Sequence, residues 1–250
     1  MTDLSSPSAT PAEPTWHRFS AAAQCGNDSS VVNYGTALPS EAELKLLGTV
    51  ESKRILDLGC GIGANAVALA QQGAKVIAVD PSTTALNRVR ERAETAEVRV
   101  ELHQGELAEL PFLRSDSIDA AISVMALSSV DDLARVFRQV HRVLKPEAPL
   151  VMSVPHPAFN LLDPKASDPL RVARAYDDSS PVEWELNGEE IVDYPRTFST
   201  LFTTLARANF RVDQVIEPTA NPSAAREDSY ADAMRLVPAT LVLRARKQGN

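Results

Sequence analysis

The side chains best suited to chemistry sit in one stretch, Lys53 to Asp80, which reads KRILDLGCGIGANAVALAQQGAKVIAVD. Asp57 closes an apolar run, Gly59, Gly61 and Gly63 follow at alternate positions, and Asp80 closes a second apolar run 21 residues after Gly59. Glycines there let the chain bend sharply and let a ligand approach the backbone, while a helix starting just beyond turns its free amides toward the same point. An acidic side chain at the position of Asp80 can take both hydroxyls of a ribose. Gly59, Gly61 and Ala64 also satisfy the dinucleotide fingerprint, so the glycines alone leave two cofactor classes open. Asp57 separates them: a carboxylate two residues before the first glycine repels a diphosphate and attracts an ammonium group.

These residues need a sheet to hold them. Ile55, Leu56 and Leu58 suit a strand buried on both faces of a parallel sheet, and Lys75 to Val79 suits its neighbour. Between them a helix starts near Ala64 and stops at Gly73. Pro81 and Ser82 open the next helix, with Ser82 as N-cap. Downstream, VRVELHQ gives a third strand, Ser117 to Val124 a fourth and Ala148 to Val154 a fifth. A helix over Asp131 to Lys145 carries Leu133, Val136, Phe137, Val140 and Leu144 at helical spacing. Thr197 to Ala208 is a further helix ended by Asn209, and Phe210 to Glu217 and Ala239 to Lys247 are the last two core strands. Between the fifth strand and that helix, VEWEL and EEIVDY flank Asn187-Gly188, a type I′ hairpin signature that sets Trp184 opposite Ile191.

With Asp57-Leu-Gly59-Cys-Gly61-Ile-Gly63 matching D/E-x-G-x-G-x-G, the sequence resembles the class I S-adenosylmethionine-dependent methyltransferases, and ELPF after Glu106 and Arg142-Val-Leu-Lys-Pro146 extend the likeness. It runs from about Leu44 to Phe159, and the usual glycine pair after Pro146 is replaced by Glu147-Ala148. The resemblance implies an α/β fold: a doubly wound seven-stranded sheet of six parallel strands and an antiparallel seventh set between the fifth and sixth, with helices on both faces. It implies S-adenosyl-L-methionine as cofactor and S-adenosyl-L-homocysteine as product. Cofactor contacts are expected at Asp57, Gly59, Gly61, Gly63, Asp80, Pro81, Glu106, Leu107 and Ser123, with Glu106 on the adenine amino group and Tyr34 touching the methionine end. Residues 1–15 are expected to form a disordered tail and 16–250 a single methyltransferase domain, in which 16–50 is an N-terminal helical cap and 155–196 a substrate lid.

Direct displacement at a sulfonium depends chiefly on collinear positioning, so a general base is needed only for acceptors that hold their proton near neutral pH. The segment after the fourth strand, Ala126-Leu-Ser128-Ser129, carries serines where the family often has histidine. The base candidate is therefore His156, fixed between two prolines just after the fifth strand; the bland alternative is a histidine that braces the lid. Tyr176, Tyr194 and Arg196 are the candidate substrate contacts, set against simple packing of the lid. Nine carboxylates in the lid against four cations admit a cationic amine substrate but suit a solvated face as well.

A net charge of −8 and the lack of a Lys/Arg-rich run argue against nucleic acid as the partner. The N/D/S-P-P-Y/F motif of enzymes that methylate exocyclic base amines is absent after the fourth strand, which reads Ser123-Val-Met-Ala. No apolar run is long enough to span a bilayer, and the opening residues lack a signal peptide's apolar core, so a cytoplasmic location is expected. Cys25 and Cys60 are too isolated for a disulfide framework or a metal cluster. The reading is methyl transfer to a hydroxyl or amine of a small metabolite. Its rivals are a cofactor-binding cyclase, sensor or scaffold on the same fold and, further off, an RNA or protein methyltransferase.

Overall fold

The computed structural model describes residues 31–35, 38–162, 168, 170–186, 189–218 and 234–249. The expected tail over 1–15, the Asn187-Gly188 turn and most of the loop over 218–238 lie outside them. Seven strands form one sheet: β1 (Arg54–Leu58), β2 (Lys75–Asp80), β3 (Val100–Gln104), β4 (Ala120–Val124), β5 (Pro149–Pro155), β8 (Phe210–Ile216) and β9 (Thr240–Lys247). Their order is β3-β2-β1-β4-β5-β9-β8, and β9 runs antiparallel to both its neighbours. β6 (Val182–Leu186) and β7 (Glu189–Asp193) form a separate hairpin with Trp184 across from Ile191, the expected register.

Alternate strand residues enter different layers because both sheet faces are covered. Ile77 and Val79 join the layer containing Val136, Phe137 and Val140 of α4 (Leu133–Val143) and Leu201 and Leu205 of α5 (Phe198–Arg207). Val76 and Ala78 join the opposite layer, with Ala68 and Leu69 of α2 (Ala64–Gln71), Val89 of α3 (Thr83–Thr95), and Val32, Tyr34 and Leu46 from the N-terminal segment. The helix starts obey local chemistry: Ser82 accepts from the Ala85 amide and Asp132 from the Arg135 amide. Asn209, at φ 59, ends the run after α5 as expected.

In the N-terminal segment, expected to be a helical cap, the helix that starts at Glu41 is short. It stops as α1 (Glu41–Leu44), because Lys45 turns left-handed at φ 53. Glu41 is the reason: its buried carboxylate accepts the amides of Leu46, Leu47 and Gly48, which an ordinary helix would direct to carbonyls. Leu46 and Leu47 reach the core through this turn instead. Glu147 stands at φ 60 where a glycine was the expected turn residue.

Candidate functional site

The glycine loop folds back over the end of β2, with the amides of Gly59 and Cys60 donating to the Val79 carbonyl at 2.8 and 3.2 Å. At Gly59 (φ 68) a β-carbon would lie 2.1 Å from that of Ala126, so the Gly59 backbone packs directly on the Ala126 methyl of the 3-10 turn Ala126–Ser129 after β4. At Gly63 a β-carbon would meet both Val89 methyls at 2.8 Å, which ties α2 against α3. Gly61 differs: at φ 53 it has nothing within 4 Å of the β-carbon position, so space opens above it. Asn65, in the first turn of α2, exchanges two hydrogen bonds with the Asn33 backbone and anchors the N-terminal segment beside the loop.

Asp80 braces this loop, accepting the Gly61 amide at one oxygen and the Ser82 amide at the other, both at 2.9 Å. Asp57 is held differently. It is 3 % exposed, and its Oδ2 is buried without a hydrogen-bond partner among the described residues. Burial, and secondarily the Asp80 carboxylate, pushes its carboxyl up to about 7. A buried carboxylate oxygen beside an open glycine fits a ligand that brings a cation, and suits a diphosphate poorly. Leu107 is buried, 3.4 Å from the Gly59 β-carbon position, while Glu106 is exposed in the loop after β3. Pro81 follows Asp80, and its carbonyl accepts from Gln104. Arg142, on the helix before β5, clamps the loop after β3 through the carbonyls of Leu113 and Leu110 at 2.8 and 2.7 Å.

Two expected cofactor contacts are turned elsewhere. Tyr34 is fully buried and donates its hydroxyl to Glu41 at 2.6 Å, packing the N-terminal segment. Ser123 is likewise fully buried and donates to the Leu58 carbonyl at 2.8 Å, joining β4 to β1. Each has spent its polar atom inside the fold, where an unpaired group would be costly.

The substrate-side candidates are engaged in the same way. His156 is 7 % exposed; its Nδ1 accepts the Ala158 amide at 3.1 Å, which makes Nε2 the protonated nitrogen that donates to Glu217 at 2.8 Å. With its lone pair already occupied, it matches the bracing alternative rather than a base. Arg196 donates to the carbonyls of Leu127, Val130, Asp131 and Tyr194, so it pins the end of segment 155–196 to the turn after β4. The Tyr194 amide bonds the Ser128 carbonyl at 2.9 Å, and Ser129 bonds Asp193 at 3.1 Å. Tyr176, about half exposed, accepts the Phe198 amide at 3.1 Å. His103 pairs with Glu101 and stacks on Phe112, and His141 contacts the Gln248 carbonyl. The turn at 126–129 thus joins the glycine loop to the end of segment 155–196, through Ala126 on one side and the Ser128 carbonyl and Ser129 hydroxyl on the other. Ser153 Oγ and Thr240 Oγ1, also missed, are buried with no partner among the described residues. Polar types on otherwise apolar strands were the available signal.

A methyltransferase-domain family model matches residues 55–147. The crystal structure of an S-adenosylmethionine-dependent methyltransferase from Mesorhizobium loti superposes with a TM-score of 0.70 at 30 % identity, covering 82 % of this chain and 96 % of that one. A protein of Mycobacterium tuberculosis named a probable S-adenosylmethionine-dependent methyltransferase is 33 % identical over 129 residues, 52 % of this chain and 45 % of its own length. The ubiquinone biosynthesis O-methyltransferase of Alkalilimnicola ehrlichii is 36 % identical over 107 residues, 43 % of each chain. The match thus spans less than half the length of these two curated relatives.

Proposed function

Because the chain belongs to the class I S-adenosylmethionine-dependent methyltransferases, we propose that it moves the methyl group of that cofactor to a hydroxyl or amine of a small metabolite. The observation that carries this reading is the unpartnered, buried Asp57 oxygen beside the open position at Gly61. Asp57 receives the cofactor's ammonium group, Asp80 offers its remaining lone pairs to the ribose, and Glu106 and Leu107 serve the adenine. When bound, the cofactor supplies a methyl group held on a sulfonium, which needs no further activation. The chain's own contribution is to hold the acceptor in line and to keep water out, and positioning of this kind supplies about 7–11 kcal/mol.

His156 is left out of the chemistry, since a bracing histidine cannot take a proton without losing the Ala158 bond. The polar contacts assigned to the acceptor are Ser153 and Thr240, at the carboxyl end of β5 and the start of β9. The net charge of −8 supports a metabolite over nucleic acid, and the O-methyltransferase among the relatives supports an oxygen acceptor. Among the described residues no helix is long and apolar enough to cross a membrane; a cytoplasmic setting is part of the proposal. The test is incubation with metabolite extracts and methyl-labelled S-adenosylmethionine. Label in a small product supports the reading; tight S-adenosylhomocysteine binding with no label transferred favours a binding protein or cyclase.

A further inference from the structure

We propose that a cleft at the amino-terminal edge of the sheet binds a small phosphate-bearing anion, at a site separate from the cofactor pocket. The cleft holds about 400 Å³ between the turns at 45–48 and 145–149, with Lys53, Asp119, Arg244 and Arg246 completing its walls. Lys53 precedes β1 and Asp119 precedes β4, whereas Asp57 and Asp80 lie at the carboxyl ends of β1 and β2. The two sites therefore sit at opposite edges of the sheet. Ligands of open α/β sheets ordinarily bind at the carboxyl edge, and nothing in methyl transfer uses this one.

Charge accounting sets the ligand class. Lys145 pairs with Asp119 at 2.6 Å, Arg211 reaches Glu147 at 3.3 Å, and Arg244 and Arg246 share the one carboxylate of Asp213 at 2.7 and 2.6 Å. Among the described residues Lys45 has no salt bridge, and Lys53 acts on Asp119 only at longer range, helping Lys145 hold that carboxyl below its usual value. With the Glu41 carboxylate held under the 45–48 turn counted, six cations meet four carboxylates, and two positive charges remain on a chain whose total is −8. Arg246 uses Nε on Asp213 and Nη1 on the Glu147 carbonyl, which leaves Nη2 without a partner among the described residues. A guanidinium edge beside two unpaired ammonium groups matches a tetrahedral oxyanion of multiple charge. The cleft's volume lies within the range of small-molecule pockets, which suits a compact phosphate compound.

The test is calorimetric titration of the full chain with inorganic pyrophosphate, with and without saturating S-adenosylhomocysteine. Saturable binding that weakens with added salt and persists beside S-adenosylhomocysteine is expected. A Lys45→Asn, Lys53→Gln double variant should bind about tenfold more weakly, two exposed charge contacts being lost. Asparagine tolerates the left-handed backbone of Lys45, so an unchanged melting temperature checks the fold of that variant. Lys53→Arg should retain binding. The proposal fails if pyrophosphate does not saturate, if S-adenosylhomocysteine displaces it, or if the double variant binds as the parent does. It also fails if a single-stranded RNA oligonucleotide binds more tightly than pyrophosphate, since the occupant would then be nucleic acid.

Discussion

In the half of the sheet built from β1, β2 and β3, Asp57 keeps a buried oxygen without a partner, and the chain leaves space beside it at Gly61. In the half built from β4, β5, β9 and β8, His156 has both ring nitrogens bonded within the protein and Arg196 is committed to four carbonyls. Both halves present polar residues at the carboxyl edge. What separates them is whether those residues have already been used to hold the fold together. A buried polar atom that folding leaves unpaired points to a ligand, because such an atom costs about 1–3 kcal/mol until something meets it. By that measure the second half's open positions are Ser153 and Thr240, not its histidine or arginine.

The largest effect should come from Gly59→Ala, which forces a β-carbon to within 2.1 Å of Ala126 and demands a left-handed alanine. A loss of about 3 kcal/mol of stability is expected by chemical denaturation, with S-adenosylhomocysteine binding abolished. Partial recovery on adding Ala126→Gly would identify the contact between loop and turn as the cause.

Asp57→Asn sharpens the comparison, since it should weaken S-adenosylhomocysteine about a hundredfold while stabilising the free protein. The sign follows from the raised carboxyl: folding favours its protonated form, so the parent loses stability as pH rises from about 4 to about 7 and holds level above. Charging a group that titrates near 7 instead of 3.8 costs up to about 4 kcal/mol. The variant's advantage in thermal unfolding should therefore grow over that window, and a pH-independent difference would break the argument.

Arg196→Met should cost about 2 kcal/mol by freeing four carbonyls in the lid's anchor, and proteolysis within 155–196 should accelerate. His156→Ala should cost about 1 kcal/mol in urea and leave turnover on the true acceptor within threefold; a loss beyond a hundredfold would restore its place in catalysis. The smallest change is expected from Thr240→Val, which removes an unpaired hydroxyl at nearly constant shape. Stability should hold or rise by less than about 1 kcal/mol, and KM for the acceptor should rise while kcat changes little.

Glycine spacing, apolar runs and the caps at Ser82 and Asp132 are local signals, and local backbone chemistry is enough to fix strands, helices and the cofactor loop from sequence. The order of strands, including β9 between β5 and β8, came from family likeness to the same motifs. What sequence could not settle was the partner of each polar side chain. Tyr34 meets Glu41 seven residues away, but His156 meets Glu217 and Arg196 meets Val130 across 61 and 66 residues. A residue's type and its place near a sheet edge leave open whether it is a tool or a brace. That choice belongs to the tertiary structure, because a hydrogen bond needs its donor and acceptor within about 3 Å, and packing alone brings such distant pairs together.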